Sequence, residues 1–233
     1  MWFEIFEDGT VFLMYGNKAI QKWDTQMQVA QLQKILDPSV ANKFSFAPKD
    51  KPKPSLIATD ELGDLASNSG STLAPIKPEV KWVASPNFSS RNGEKIKRII
   101  NHYTNVANLP STISWYQNSQ SQVSAHYIVD KNGTIYQMVE DADKAWHAHG
   151  ENNDSIGIEH IAKAGERLAP KQEEATIALH KWLMVEYGIS SDNVTGHRFT
   201  EHNKGKTDCP HSIFGGNTEQ ALRDWVKKNL VSH

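Results

Sequence analysis

Apolar and β-branched residues near the amino end fall in two short runs, Trp2 to Phe6 and Thr10 to Tyr15, separated by Asp8-Gly9. An Asp-Gly pair accepts the positive φ angles of a tight turn, so the pattern predicts a hairpin. A helix is expected to follow. Thr25-x-x-Gln28 has the form of a capping box, and Val29, Leu32 and Leu36 recur at i, i+3 and i+7 before Pro38. One hairpin and one helix bury little apolar surface. Residues 1–45 therefore read as a small unit that packs on the main domain or serves as a weak binding or assembly module. The periodicity lapses over residues 46–80, which hold Pro48, Pro52, Pro54, Pro75, Pro78 and a Ser/Gly-rich run from Ser67 to Thr72. That composition predicts a linker, semi-rigid where proline recurs and flexible at the Ser/Gly patch, with room for a helical turn at Asp60 to Leu65.

Residues 81–233 carry the pattern of a compact domain. Lys95 to Tyr103 reads as a strand with His102 near its end. Ser124 to Val129 and Thr134 to Val139 flank Asp130-Lys131-Asn132-Gly133, a second hairpin signal, and Ser155 to Ala162 is another strand. Pro170 opens a helix to about Tyr187, with Ala175, Ala178, Leu179, Trp182 and Leu183 on one face and Gly188 as its stop. Strands flanked by helices predict an α/β domain built on a single mixed sheet.

Composition narrows the partners. With 38% hydrophobic and 22% charged residues the chain can bury a core, and 25 basic against 27 acidic residues give a net charge of −2. Nothing in that balance favours nucleic acid or an anionic membrane surface. No run approaches the roughly 18 apolar residues of a membrane span, and the acidic start lacks the basic region of a secretory signal, so synthesis in the cytoplasm without an export address is expected. A monomer is expected. Cys209 is the one cysteine, which excludes an intramolecular disulfide and leaves packing, nucleophilic chemistry or metal binding. Nine of the ten histidines lie between His102 and His211, which points to that half for acid/base or metal chemistry.

His102, His197 and Cys209 stand out. Two imidazoles and a thiolate make a three-ligand zinc set with one position open, as a hydrolase requires. The histidines are 95 residues apart, so the fold would have to assemble such a site. Residue types alone favour the plainer reading of two ordinary histidines and one buried thiol. The local contexts add to this: Ile99-Ile100-Asn101-His102-Tyr103-Thr104, Ser124 to Gly133, Ala145-Trp146-His147-Ala148, Ser155-Ile156-Gly157-Ile158-Glu159, Thr195-Gly196-His197-Arg198 and Lys206-Thr207-Asp208-Cys209-Pro210. In this order, over roughly residues 82–220, they resemble the zinc-dependent N-acetylmuramoyl-L-alanine amidases, the family of phage endolysins, cell-wall recycling amidases and peptidoglycan recognition proteins. Residues 1–80 show no such resemblance.

The resemblance implies one zinc ion on His102, His197 and Cys209. Such amidases set a tyrosine or a glutamate beside the metal-bound water. Ala125 stands at the tyrosine position and Glu159 at the glutamate one, which makes Glu159 the general-base candidate. Thr207 or Lys206 would help stabilise the oxyanion. His147 would line the substrate groove and bind the developing oxyanion, and Trp146 would stack on a sugar face or fill the core. His126, His149, His202 and His211 are expected to be supporting or surface residues, and His160 to point away from the site. The implied substrate is the muramyl peptide of peptidoglycan, cleaved between N-acetylmuramic acid and L-alanine. A phage endolysin held in the host cytoplasm until release fits a chain without a signal peptide, and a recycling amidase of the bacterial cytoplasm is the alternative. Two other classes stay open: a peptidoglycan-binding module without catalysis, and a thiol enzyme using Cys209 that chelation would not inhibit.

Overall fold

The computed structural model describes residues 2–8, 10–15, 18–24, 44–47, 50–55 and 75–231. The chain divides into two compact units, Met1–Leu73 and Ala74–His233.

In the first unit β1 (Trp2–Ile5) pairs antiparallel with β2 (Thr10–Tyr15), the hairpin expected from the sequence. The Asp8 carboxylate accepts from the Thr10 backbone at 3.1 Å and from its hydroxyl at 2.8 Å, closing the turn. Two further strands were not foreseen. β3 (Lys18–Asp24) extends the hairpin, and β4 (Phe44–Phe46) pairs parallel with β1, giving the order β3-β2-β1-β4. Phe6, Phe12, Met14 and Ala19 form a small core. The sequence reading ended this unit at residue 45 and began a linker there. In the structure the Ala47 amide donates to the Ile5 carbonyl at 2.8 Å, and Lys51 and Lys53 pair with Glu4 and Asp8. Proline-rich composition reads as a linker because it carries few apolar residues, but these contacts are made by the backbone and by lysine heads. The helix expected over residues 25–37, the turn at Asp60 to Leu65 and the Ser67 to Thr72 run lie outside the described residues.

The second unit is built on a six-stranded sheet. Its strands are β5 (Val80–Trp82), β7 (Arg98–Tyr103), β8 (Tyr127–Val129), β9 (Ile135–Gln137), β11 (Ser155–His160) and β12 (Val194–Gly196), in the order β12-β7-β11-β8-β9-β5. β6 (Phe88–Ser90) and β10 (Asp143–Ala145) form a separate antiparallel pair. In the main sheet β12, β7, β11 and β8 run parallel and β8–β9 is the antiparallel hairpin, so the sheet is mixed, as expected. β7 and β11 are nearly continuous buried runs because helices cover the sheet. Three helices accompany it: α1 (Leu109–Gln117), α2 (Pro170–Tyr187) and α3 (Glu219–Leu230).

α2 keeps its expected bounds, with Gly188 in the left-handed conformation at φ 64°. Its buried face differs from the expected one. Ala178 is exposed, and Gln172, Thr176 and His180 are buried beside Leu179, Trp182 and Leu183. Gln172 Nε2 donates to the Val129 and Ile161 carbonyls at 2.9 and 3.2 Å, so a polar side chain on the buried face satisfies backbone of the sheet. The core gathers Ile99, Tyr127, Ile156, Ile158, Leu179 and Leu183 with Phe214 and Trp225 from the carboxyl-terminal segment. Among the described residues no helix is long and apolar enough to cross a membrane.

Candidate metal centre and cleft

β7 and β11 are paired so that His102 lies opposite Glu159. Partners in parallel register project to the same face, so both side chains emerge together near the carboxyl ends of their strands, where they are 3% and 5% exposed. β12 ends at Gly196 on the other side of β7, which places His197 next to His102, with ring centroids 4.6 Å apart. Cys209 arrives on the following loop. Its Sγ accepts from the Tyr103 amide at 3.3 Å and lies 3.5 Å from His102 Nδ1. The candidate ligand atoms of His102, His197 and Cys209 all fall within 4.8 Å of one another, so the fold closes the 95-residue gap that spacing left open.

A chain of hydrogen bonds sets the orientation of His102. Ser155 Oγ donates to the Glu151 carbonyl at 2.7 Å, so it is free to accept from His147 Nε2 at 3.1 Å. His147 Nδ1 is then an acceptor for the Nε2–H of His102 at 3.0 Å. That leaves the Nδ1 lone pair of His102 facing Cys209, the tautomer a metal ligand needs. Asn203 Nδ2 donates to the His149 carbonyl and to Thr200 Oγ1, each at 3.0 Å, which ties down the turn that follows His197.

Burial holds His102 and His147 well below the ordinary histidine range, with neighbouring histidines adding to the effect, and lowers His197 as well. The imidazoles are therefore neutral and keep a lone pair at neutral pH. Burial pushes the Cys209 thiol well up, and Glu159 adds to this. Burial also raises Glu159 to about 7. Two neutral imidazoles, a thiol and a carboxyl group face one another with no cationic side chain among them. This donor set fits a soft to borderline divalent cation.

Two glycines let the parts approach. A Cβ on Gly157 would lie 2.4 Å from the His147 ring, and one on Gly196 would lie 2.6 Å from Pro210 Cδ. The His147 ring thus rests on bare backbone of β11. Gly157→Ala is expected to push that ring out, break its bond to His102 and weaken the affinity of the three-donor cluster for a divalent cation about 10–100-fold in a chelator competition. Affinity equal to the parent would show that the ring does not need this approach.

The site floors a cavity of about 530 Å³ walled by Tyr103, Val106, Trp115, Tyr116 and Trp146. Trp146 Nε1 donates to Ser89 Oγ at 3.1 Å, and the side chain reaches the cavity wall. Thr207 and Lys206 are not among the lining residues. Thr207 Oγ1 accepts from the Cys209 amide at 3.1 Å, and Lys206 is exposed. His126 is buried beneath the site, accepting from the Gly157 amide at 2.9 Å, while His149 and His202 are exposed. His160 sits on the opposite face against Phe214. Ala125 is buried and supplies no polar atom.

Sequence reasoning missed Tyr116, whose hydroxyl donates to Glu159 Oε2 at 2.7 Å. A signal existed: the Asn108 side chain caps α1 and Pro110 sits in its first turn, which marks a helix start eight residues before Tyr116.

A family model described as N-acetylmuramoyl-L-alanine amidase matches residues 92–212, a stretch that contains His102, Glu159, His197 and Cys209. The chain belongs to this amidase family. N-acetylmuramoyl-L-alanine amidase A of Achromobacter lyticus is 40% identical over 117 residues, 48% of this chain and 65% of that protein. The match thus spans somewhat under two thirds of that relative's length. Among solved structures, the amidase fold is shared with the N-acetylmuramoyl-L-alanine amidase LysC from Clostridium intestinale (24% identity, TM-score 0.54, 66% of this chain and 98% of that one). It is also shared with a mutant endolysin from Bacillus subtilis (25% identity, TM-score 0.52, 64% and 98%).

Proposed function

We propose that this amidase-family chain hydrolyses the amide between N-acetylmuramic acid and L-alanine in peptidoglycan, with one zinc ion held by His102, His197 and Cys209. The observation that carries this reading is the pairing of Glu159 with His102 on adjacent parallel strands, which sets a carboxyl group beside a three-donor cluster at the floor of an open cleft. Zinc bound there supplies a Lewis acid for the scissile carbonyl and makes water acidic enough to ionise near neutral pH.

The chain's own residues do the rest. His147 and Ser155 hold the His102 tautomer. Glu159 takes a proton from the attacking water at one carboxylate oxygen and delivers it to the departing amine of L-alanine. Trp115 and Trp146 offer aromatic faces to the sugar or stem peptide, and the walls displace water. Thr207 holds the Cys209 amide and so fixes the loop that brings the thiol.

The reading extends to an endolysin that meets the wall once the host membrane is breached. A separate amino-terminal unit supports it, since a tethered second module raises local concentration at a polymer. The test is release of stem peptides from purified peptidoglycan, followed by mass spectrometry, with EDTA and with zinc restored. New L-alanine amino termini that disappear on chelation and return with zinc are the expected result. Intact amides despite bound zinc would make the chain a recognition module. Cleavage of small muropeptides but not of whole sacculi would favour a recycling role over a lytic one.

A further inference from the structure

General-base catalysis at Glu159 requires a carboxylate held in one orientation, because the terminal torsion of a glutamate is broad and has no sharp staggered wells. Among the described residues the hydrogen bond that restrains it comes from Tyr116, whose hydroxyl meets Oε2 at 2.7 Å. Tyr116 stands in the last turn of α1, and its backbone is anchored independently of the sheet. Ser85 Oγ and Asn87 Nδ2 both donate to the Tyr116 carbonyl, and the same Asn87 amide donates to the Asn118 and Val123 carbonyls at 3.0 and 2.9 Å. Burial, with the neighbouring carboxylate adding to it, pushes the phenol well above its ordinary range. The hydroxyl therefore keeps its proton and is the donor. With Oε2 engaged, Oε1 is the oxygen left to take a proton.

We propose that Tyr116 is a positioning residue of the amidase site: its hydroxyl fixes one carboxylate oxygen of Glu159 and so presents the other to the reacting water. The role rests on the hydrolytic function proposed above. Tyr116 acts through Glu159 and transfers no proton in the reaction.

Tyr116→Phe keeps the ring and removes one oxygen. A hydrogen bond to a charged group is strong enough that kcat should fall about 10–100-fold, with KM within twofold of the parent, unchanged zinc content and a thermal midpoint lowered by only about a few degrees. The same change made in a Glu159→Gln background should cost less than about twofold, because the group it positions no longer works as a base. Unchanged kcat in Tyr116→Phe, or equal losses in both backgrounds, would overturn the role while leaving the hydrolytic function standing. Zinc-loaded parent protein that releases no stem peptide would overturn the function and this role together.

Discussion

Glutamine at position 159 should lower kcat by about 10²–10⁴-fold, the usual contribution of a positioned acid/base group, while metal content should match that of the parent. The amide matches the carboxylate in shape and can still accept the Tyr116 hydroxyl, so the 5% exposed side chain keeps its place. It cannot take the proton of water or hand one to the leaving amine. Both halves of the reaction lose their carrier, and the fall should appear in kcat far more than in KM. His102, His197 and Cys209 remain intact, so metal analysis separates this variant from any ligand substitution, which should lose metal and activity together. Turnover of a defined muropeptide, followed beside zinc analysis on the same sample, makes the comparison. Activity within a few-fold of the parent would remove Glu159 from the mechanism.

Stability should decline steeply on acidification. His126, His160 and His180 are buried, and burial lowers them to about 3, 3 and 4. A histidine depressed in the folded state stays neutral there while the unfolded chain protonates near 6.5, so its stability is present above pH 6.5 and is lost as pH falls toward the folded value. Glu159 works the other way. Raised to about 7, it binds a proton in the folded state first and stabilises the fold as pH falls toward the ordinary glutamate range. Between pH 6 and 5 these four groups alone leave the unfolded chain holding about two more protons than the folded one, roughly 3 kcal/mol lost per pH unit, and the depressed His102 and His147 steepen the loss further. Urea unfolding at pH 7.5, 6 and 5 measures the slope directly. His180→Leu should cut it by about one proton, since this ring donates only to the Thr176 carbonyl and its Nε2 is buried without a partner. A flat profile over that range would contradict the buried, neutral assignment.

Much of the site was legible in the sequence because its parts sit on strands with clear punctuation. The Asn132-Gly133 turn, the β-branched run ending at His102 and the Ser155 to Glu159 strand gave the sheet, and the short contexts around His102, His197 and Cys209 pointed to the three donors that the fold brings together. The pairings that bring these segments together were not legible, because parallel register depends on contacts tens of residues apart in the chain. His147 illustrates the limit. Its motif placed it at the groove, which it does line, but its chain of bonds to His102 and Ser155 depends on a ring packed too close to Gly157 for any Cβ there. Tyr116 was hidden for a similar reason: α1 is short, and its carboxyl end is held by Ser85 and Asn87 from a loop with no secondary-structure signal. On α2 the apolar count favoured Ala178, whereas backbone carbonyls at Val129 and Ile161 favoured Gln172.

The parallel arrangement of β12, β7 and β11 has a practical consequence for anyone who wishes to attach something to this molecule. All three strands point the same way, so the chemistry gathers at their carboxyl ends and the turns that feed them lie at the other end. The exposed turn at Asn92 to Lys95 leads into β7, whose six residues at about 3.3 Å each put roughly 20 Å between its two ends. A fluorophore, affinity handle or fused domain introduced there would stand a full strand length from the cleft, leaving a large polymer free to reach the opposite end.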